Sequence, residues 1–171
     1  RIVTLNGVSK SYCMTGWRIG YCAAPVEQVK AMAKVQSQST SSPNSMAQWA
    51  AIAALDGPTD FIDDNRHAFA VRRQLVGDAL NAMPGITCAQ PDGAFYVYPS
   101  ISGLLGKTRP DGQVIATDAD FVRYLLEAGE VAVVPGVAFG LSPYFRISYA
   151  AADTVLAEAM ARIGRVVDSL S

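Results

Sequence analysis

The stretch NGVSKSYCMTGWRIG, residues 6–20, decides the fold of this chain because it places two basic side chains around a glycine-containing turn. A β-rich run at residues 2–5 leads into it, and a second run at residues 17–23 leads out. Lys10 is therefore expected where the first strand ends, and Arg18 on the second strand. Because strand side chains alternate between faces, Arg18 should share its face with Gly20 and Cys22, whose small size allows close approach of a ligand.

The composition is typical of a soluble globular protein and argues against several functional classes. The chain has 171 residues, of which 50% are hydrophobic and 17% charged, and its net charge is -1. This balance argues against a nucleic-acid partner, and no apolar run reaches membrane-spanning length. The three cysteines, Cys13, Cys22 and Cys88, are too widely spaced for a zinc site or a redox pair. We therefore expect no metal site and interpret them as reduced thiols of a cytoplasmic protein.

One motif carries a family resemblance. Ser9-Lys10 followed by MTGWRIG, residues 14–20, resembles the active-site lysine segment of class I/II aminotransferases, which are pyridoxal-phosphate enzymes of fold type I. The resemblance is closest to their bacterial aspartate/prephenate aminotransferase branch. It implies that Lys10 forms the Schiff base with pyridoxal 5'-phosphate and that Arg18, eight residues on, binds the cofactor phosphate. A neutral lysine amine can react with an aldehyde, and the planar fork of arginine suits a phosphate. The alternative is a solvated loop lysine and an ordinary strand arginine.

A second cluster lies in YFRISYA, residues 144–150. Strand alternation puts Phe145, Ile147 and Tyr149 on one side, and Arg146 and Ser148 on the other. An arginine in an apolar strand is costly to bury without an anion or an acceptor. The resemblance implies that the guanidinium of Arg146 binds the α-carboxylate of the substrate amino acid. A structural ion pair is the alternative.

Helical patterns dominate the middle of the chain. A helix is expected from Pro25 to about Gln38, followed by a polar loop at residues 37–44, which the resemblance places near the interface of a homodimer. Ser45 should cap a helix at residues 46–55 that is apolar almost all round and therefore buried on most sides. A long helix over residues 59–85 follows. The only histidine, His67, lies on it, and with no second histidine we expect no catalytic or metal-binding role for it.

From residue 86 the pattern changes to short strands and two amphipathic helices. Strands are expected at residues 94–98 and 131–134, Asp118 is expected to cap a helix, and Asp153 is expected to start the last helix. The predicted fold class is α/β, and the resemblance implies the C-terminal part of a fold type I protein. The predicted domains are the end of a large cofactor-binding domain at residues 1–58, an interdomain helix at 59–85 and a small α+β domain at 86–171.

The resemblance implies an aminotransferase of amino acid metabolism, which moves an amino group between an amino acid and a 2-oxo acid. Lys10 would be both covalent anchor and general acid/base. The family's acidic partner of the pyridine nitrogen and its glycine-rich phosphate loop lie upstream of the lysine, so we expect a fragment that is inactive alone. The alternatives are another fold type I lyase or synthase, or a non-catalytic dimerisation or binding fragment.

Overall fold

The computed structural model describes residues 2–171, and the chain divides into two compact units, residues 1–65 and residues 66–171. The long helix α3, Asp60–Asn81, contains the boundary between them. The predicted three-part division at residues 58 and 85 stays a prediction. None of the helices in the described part of the chain is long and apolar enough to cross a membrane.

The first unit is a β-hairpin followed by helices. Strands β1, Thr4–Gly7, and β2, Gly20–Ala23, pair antiparallel with Thr4 opposite Ala23 and Gly7 opposite Gly20. Helices α1, Val26–Ser39, and α2, Ser45–Asp56, come next. The buried cluster of this unit is small, and Tyr12 and Met14 pack against it; its members are Val8, Ile19, Ala47 and Ala51. The hairpin therefore closes on a long loop, residues 8–19, that is anchored by its own apolar side chains.

The structure corrects the predicted strand at residues 17–23, which begins only at Gly20. Residues Thr15–Trp17 form a short 3-10 turn, and Arg18 follows it in the left-handed region, with φ 49°. Arg18 is therefore not on the strand, and the face assigned to it by alternation was wrong. The physical reason is that the chain must reverse direction before β2 can pair with β1, and the tight turn uses the residues that the pattern assigned to the strand. The first strand also differs, since it spans Thr4–Gly7 rather than residues 2–5.

Helix α2 differs from its prediction in two respects. Its N-cap is Asn44, whose side-chain oxygen accepts a hydrogen bond from the Ala47 N–H at 3.1 Å, whereas the sequence pattern assigned the cap to Ser45. The helix is also not buried on most sides, because only Ala47 and Ala51 are buried. Its large apolar side chains are exposed, namely Met46, Trp49, Ile52 and Leu55. A helix that is apolar on all sides is expected to be buried, but burial requires a neighbouring element against each side.

The second unit has a three-stranded antiparallel sheet and two amphipathic helices. The strands are β3, Tyr96–Val97, β4, Val134–Pro135, and β5, Phe145–Ser148, with β5 in the centre of the order β3-β5-β4. The helices are α4, Asp118–Gly129, and α5, Asp153–Asp168. They cover a core whose fully buried side chains include Phe121, Leu125, Phe145 and Ile163. The central strand of this unit carries Arg146.

The second unit also differs from the sequence pattern in detail. Strand β3 is shorter than the predicted run at residues 94–98, and β4 overlaps the predicted run at residues 131–134 only at Val134. The N-cap of α4 is Thr117 and not Asp118, because Thr117 is extended and forms a capping box with Asp120. Asp118 is instead the first helical residue and is 2% exposed.

Candidate active site

Lys10 lies in the loop that closes the β1–β2 hairpin, three residues after the end of β1. The Lys10 carbonyl accepts a hydrogen bond from the Cys13 N–H at 3.1 Å, which closes a turn, while its side chain is exposed. Val8 on one side is fully buried, and Tyr12 on the other packs against the same cluster and makes an edge contact with Phe61 at 6.2 Å between ring centroids. The backbone that carries Lys10 is thus fixed on both sides by apolar anchors.

Arg18 lies in the same loop, near its other end. The Arg18 Nη1 donates to the Thr15 carbonyl oxygen at 3.0 Å, so one donor is used on the first residue of the 3-10 turn. The side chain is exposed, and within residues 2–171 it forms no ion pair. A guanidinium has five N–H donors, so most of its donors remain for an anionic ligand. Lys10 and Arg18 therefore lie in one loop, whereas the sequence pattern placed Arg18 on the second strand.

Two glycines allow a short distance between β1 and β2 at the loop end of this hairpin. Gly7 and Gly20 are directly opposite each other, and a Cβ on Gly20 would lie 3.3 Å from the Asn6 carbonyl oxygen. A Cβ on Gly7 would lie 3.4 Å from the Ile19 carbonyl oxygen. The strands can therefore approach closely where the loop begins and ends. A lysine amine and an arginine fork on one loop are the donor set that an aldehyde carrying a phosphate group requires, so these residues fit pyridoxal phosphate.

Arg146 belongs to the second unit, on the central strand β5. The alternation predicted for this strand is confirmed, because Phe145, Ile147 and Tyr149 are buried while Arg146 is half-buried and Ser148 exposed. In the described part of the chain, no carboxylate lies within ion-pair distance of the Arg146 guanidinium. The alternative explanation, a structural ion pair of Arg146 with a carboxylate, is therefore not found among the described residues. Arg146 keeps its N–H donors for an external anion.

Two aromatic rings contact Arg146, and sequence reasoning did not assign them this place. The guanidinium carbon lies 4.4 Å from the centroid of the Tyr96 ring and 4.2 Å from that of Phe139. The sequence pattern placed Tyr96 only within the expected strand at residues 94–98 and assigned no partner to Phe139. The signal that could have found Tyr96 is cross-strand pairing, because Tyr96 is opposite Ser148, two residues from Arg146. That signal needs the register, which the sequence pattern alone does not fix.

Tyr149 ends the motif that contains Arg146. It is 1% exposed, and its hydroxyl donates to the Ala94 carbonyl oxygen at 2.9 Å. Burial raises the pKa of Tyr149, although the positive charge of Arg73 acts in the opposite direction. Tyr149 therefore remains a protonated donor that ties the end of β5 to the segment before β3. His67 is exposed, and the described residues contain no group of three His, Cys, Asp or Glu side chains placed to hold a metal ion.

Comparison with known sequences identifies related proteins along the whole chain. Residues 1–163 match the family model for aminotransferase class I and II. An aspartate/prephenate aminotransferase of Cereibacter sphaeroides is 60% identical over 171 residues, which is 100% of this chain and 43% of that protein. An aspartate aminotransferase of Rhizobium meliloti is 56% identical over 100% of this chain and 42% of its own length. The chain therefore spans less than half the length of these relatives.

Solved structures agree with the sequence comparison. The crystal structure of the Rhizobium meliloti aspartate aminotransferase matches with a TM-score of 0.96 and 55% identity, covering 99% of this chain and 42% of that one. The aromatic aminotransferase of Pyrococcus horikoshii matches with a TM-score of 0.82 and 39% identity, covering 97% and 43%. These matches confirm the predicted α/β fold class, as part of a fold type I structure, and the resemblance that the lysine motif indicated.

Proposed function

We propose, because this chain belongs to the aminotransferase class I and II family, that the whole protein moves an amino group between an amino acid and a 2-oxo acid. The observation that carries this proposal is the family match over residues 1–163, a range that includes Lys10, Arg18 and Arg146. Relatives named as aspartate and aspartate/prephenate aminotransferases support aspartate as an amino donor. The cofactor is pyridoxal 5'-phosphate, which when bound withdraws electrons from the substrate α-carbon.

Lys10 is the residue that holds the cofactor and then moves a proton at the substrate Cα. Both roles need an amine that reaches the reacting atoms from a fixed backbone. The buried Val8 and the packed Tyr12 supply that fixed backbone on either side of Lys10. The Lys10 side chain is exposed and therefore accessible to the aldehyde of the cofactor.

Arg18 is the residue that binds the cofactor phosphate. The hydrogen bond from Nη1 to the Thr15 carbonyl holds the guanidinium against the 3-10 turn of the loop that also carries Lys10. A permanently charged guanidinium suits this role better than a second lysine, because its parallel N–H donors match two phosphate oxygens. Arg18 has a left-handed backbone, with φ 49°, at the end of the turn, and β2 begins two residues later at Gly20.

Arg146 is the residue that binds the α-carboxylate of the substrate. It is half-buried, it has no ion pair within residues 2–171, and its guanidinium contacts two aromatic rings. A carboxylate that meets such an arginine forms two parallel charge-assisted hydrogen bonds. Amino acids and 2-oxo acids share this carboxylate, so one arginine serves both half-reactions.

The first test is cofactor binding by the complete protein and by its Lys10→Ala variant. Pyridoxal phosphate should give a visible absorption band with the wild type, and borohydride should then fix the cofactor on the peptide that contains Lys10. Lys10→Ala should lose both signals. Lys30→Ala is the matched control, because Lys30 is an exposed lysine on α1. A band that survives in Lys10→Ala would contradict the assignment.

The second test is turnover of aspartate with a 2-oxo acid acceptor. The complete protein should transaminate, and Arg146→Ala should lose most of kcat/KM while Arg146→Lys keeps part of it, because lysine retains the charge but not the paired donors. The isolated 171-residue chain should show little turnover. Elimination or condensation products without transamination would favour the lyase or synthase alternative, and no cofactor band would favour a non-catalytic fragment.

The same family membership supports two further proposals. The complete protein forms a homodimer, and exposed apolar side chains on α2 such as Trp49 are candidates for covered surface in it. Light scattering of the complete protein checks the mass. The protein acts in the cytoplasm, which is supported by three cysteines that are free thiols. Cell fractionation followed by antibody detection tests this location.

A further inference from the structure

We infer that Tyr96, Phe139 and Asp118 are positioning residues for Arg146: the two rings hold its guanidinium, and Asp118 holds the loop that carries Phe139. This inference rests on the proposed function, in which Arg146 binds the substrate α-carboxylate. It extends that function by assigning the preorganisation of the carboxylate site to three side chains that do not themselves bind the carboxylate.

The two rings reach Arg146 from opposite sides of β5. Tyr96 is on β3, which pairs with one edge of β5, and Phe139 follows β4, which pairs with the other edge. The ring centroids lie 4.4 Å and 4.2 Å from the guanidinium carbon. Attraction between a cation and a ring face orients the guanidinium plane, and the N–H donors that lie in this plane stay available. The rings therefore fix Arg146 without using its hydrogen-bonding groups.

Asp118 fixes the loop on both sides of Phe139. The buried carboxylate accepts a hydrogen bond from the Val137 N–H at 3.0 Å and another from the Ser142 hydroxyl at 2.7 Å. Hydrogen bonds to a charged acceptor are about twice as strong as neutral ones, and burial makes each of them more costly to lose. One carboxylate thus holds the loop two residues before Phe139 and three residues after it.

Tyr98, the residue that follows β3, binds the same loop. Its hydroxyl donates to the carbonyl oxygens of Gly136, at 3.1 Å, and Leu141, at 3.2 Å. Its ring meets Phe139 edge-on with 6.2 Å between centroids. The loop at residues 136–142 is therefore tied by Asp118 on one side and by Tyr98 on the other, and both attachments leave the position of Phe139 little freedom.

Exposure distinguishes this arrangement from ordinary core packing. Phe139 is 48% exposed, so its ring contributes little to the hydrophobic core of the unit. Its ring contacts are with Arg146 and Tyr98. Replacement of Phe139 should consequently change the arginine more than it changes the stability of the fold.

The test uses the complete protein with bound cofactor and three variants. Phe139→Leu removes the ring, Phe139→Tyr restores it, and Leu126→Ala is a control at an exposed apolar residue of α4. We expect Phe139→Leu to raise the KM for aspartate and lower kcat/KM roughly three- to tenfold, the size of a partly desolvated cation–ring contact. Phe139→Tyr and Leu126→Ala should stay within about twofold of wild type.

A second substrate separates positioning from general damage. β-Alanine is aspartate without its α-carboxylate, so it lacks the group that Arg146 binds under the proposed function, and its slow single-turnover reaction should not depend on that contact. Phe139→Leu should leave this rate and the cofactor absorption band unchanged. Equal losses with aspartate and β-alanine, or no loss with aspartate in an active enzyme, would overturn the inference while leaving the proposed function intact. A wild type that neither binds cofactor nor transaminates would overturn both.

Asp118→Asn tests the loop attachment. It should lower kcat/KM for aspartate roughly three- to tenfold, and the double variant with Phe139→Leu should lose no more than the larger single loss, because Asp118 acts through Phe139. A double variant whose loss in kcat/KM equals the product of the two single losses would overturn this part of the inference. If Asp118→Asn fails to fold because Asp118 is buried, Ser142→Ala tests the same attachment, because the exposed Ser142 donates to the Asp118 carboxylate; an unchanged kcat/KM in Ser142→Ala would then overturn this part of the inference.

Discussion

Gly136 marks the tightest approach of backbone to backbone in the Arg146 region. A Cβ at this position would lie 2.1 Å from the Leu141 carbonyl oxygen and 2.7 Å from the Tyr144 carbonyl oxygen. Both clashing atoms are main-chain oxygens, and neither can move without disturbing a hydrogen bond, because the Tyr144 oxygen accepts from the Gly136 N–H and the Leu141 oxygen accepts from the Tyr98 hydroxyl. The position therefore requires glycine for space.

We expect Gly136→Ala to lower the free energy of unfolding of the 171-residue chain by about 3 kcal/mol, the upper range for overpacking. Thermal unfolding followed by circular dichroism measures the effect. Gly77→Ala is the matched control: Gly77 lies within α3, and its added Cβ would meet nothing within 4 Å. That control should stabilise the chain by about 0.5–1 kcal/mol because alanine is the better helix former. Equal effects of both variants would show that crowding at Gly136 is not the cause.

At the same scale, the sequence could predict which residues are candidates and could not predict how they are held. Lys10, Arg18 and Arg146 stand out because their motif and spacing are visible in the sequence. Their roles stay predictions, but the structure does place the first two on one loop and the third without an ion pair in residues 2–171. Tyr96 and Asp118 gave no such signal, because their contacts depend on strand register and on a loop that returns to α4.

At the scale of the element, the N-terminus of α4 is stabilised by a reciprocal pair. The Thr117 N–H and hydroxyl both donate to the Asp120 carboxylate, at 2.9 Å and 2.8 Å, and the Asp120 N–H donates to the Thr117 hydroxyl oxygen at 3.2 Å. The hydrogen bond from the Thr117 side chain is the main cause that lowers the pKa of Asp120. A lowered carboxyl pKa means that the folded state favours the charged form, so the contribution to stability is present above the unfolded pKa.

The Thr117–Asp120 capping pair should make a contribution to stability that depends on pH. Asp120→Asn should destabilise the chain by about 1 kcal/mol at neutral pH. The stability difference between wild type and variant should shrink as pH falls from about 4 through the lowered pKa of folded Asp120, because the carboxylate is protonated first in the unfolded state and then in the folded state. Urea unfolding at several pH values measures the difference. Asp92→Asn, at an exposed aspartate outside any helix cap, is the control and should show no such trend. A difference that persists at low pH would contradict the charged pair.

Helices were more predictable than strands for a physical reason. The apolar period of α1 and α5 extends over several turns, and the predicted helices match the observed ones within about one residue. The strands have two to four residues, so alternation has little length in which to show itself. Trp17 is a typical strand residue but ends the 3-10 turn at Thr15–Trp17. The start of β2 is defined only by the pairing of Gly7 with Gly20.

At the scale of the whole molecule, the two units differ in how much apolar core they contain. The described residues of the first unit bury Val8, Ile19, Ala47 and Ala51, whereas the core of the second unit extends from Val76 to Leu170. Local opening costs little where few apolar contacts hold a segment. We therefore expect hydrogen exchange in the isolated 171-residue chain to be fast in β1, β2 and α1 and slow in α4 and α5. Mass spectrometry of peptides from the exchanged chain measures this, and uniform protection would contradict it.

The exposed indole of Trp49 gives α2 an optical property. Its side chain is 72% exposed, on the same helix as the exposed Met46 and Ile52. An indole in water fluoresces at longer wavelength than one surrounded by apolar groups. Any polypeptide that covers this side of α2 should therefore shift the emission to shorter wavelength and slow quenching by iodide. The fluorescence of Trp49 therefore reports, without a label, whether another polypeptide covers this side of α2. A Trp49→Phe variant would identify which part of the fluorescence comes from Trp49.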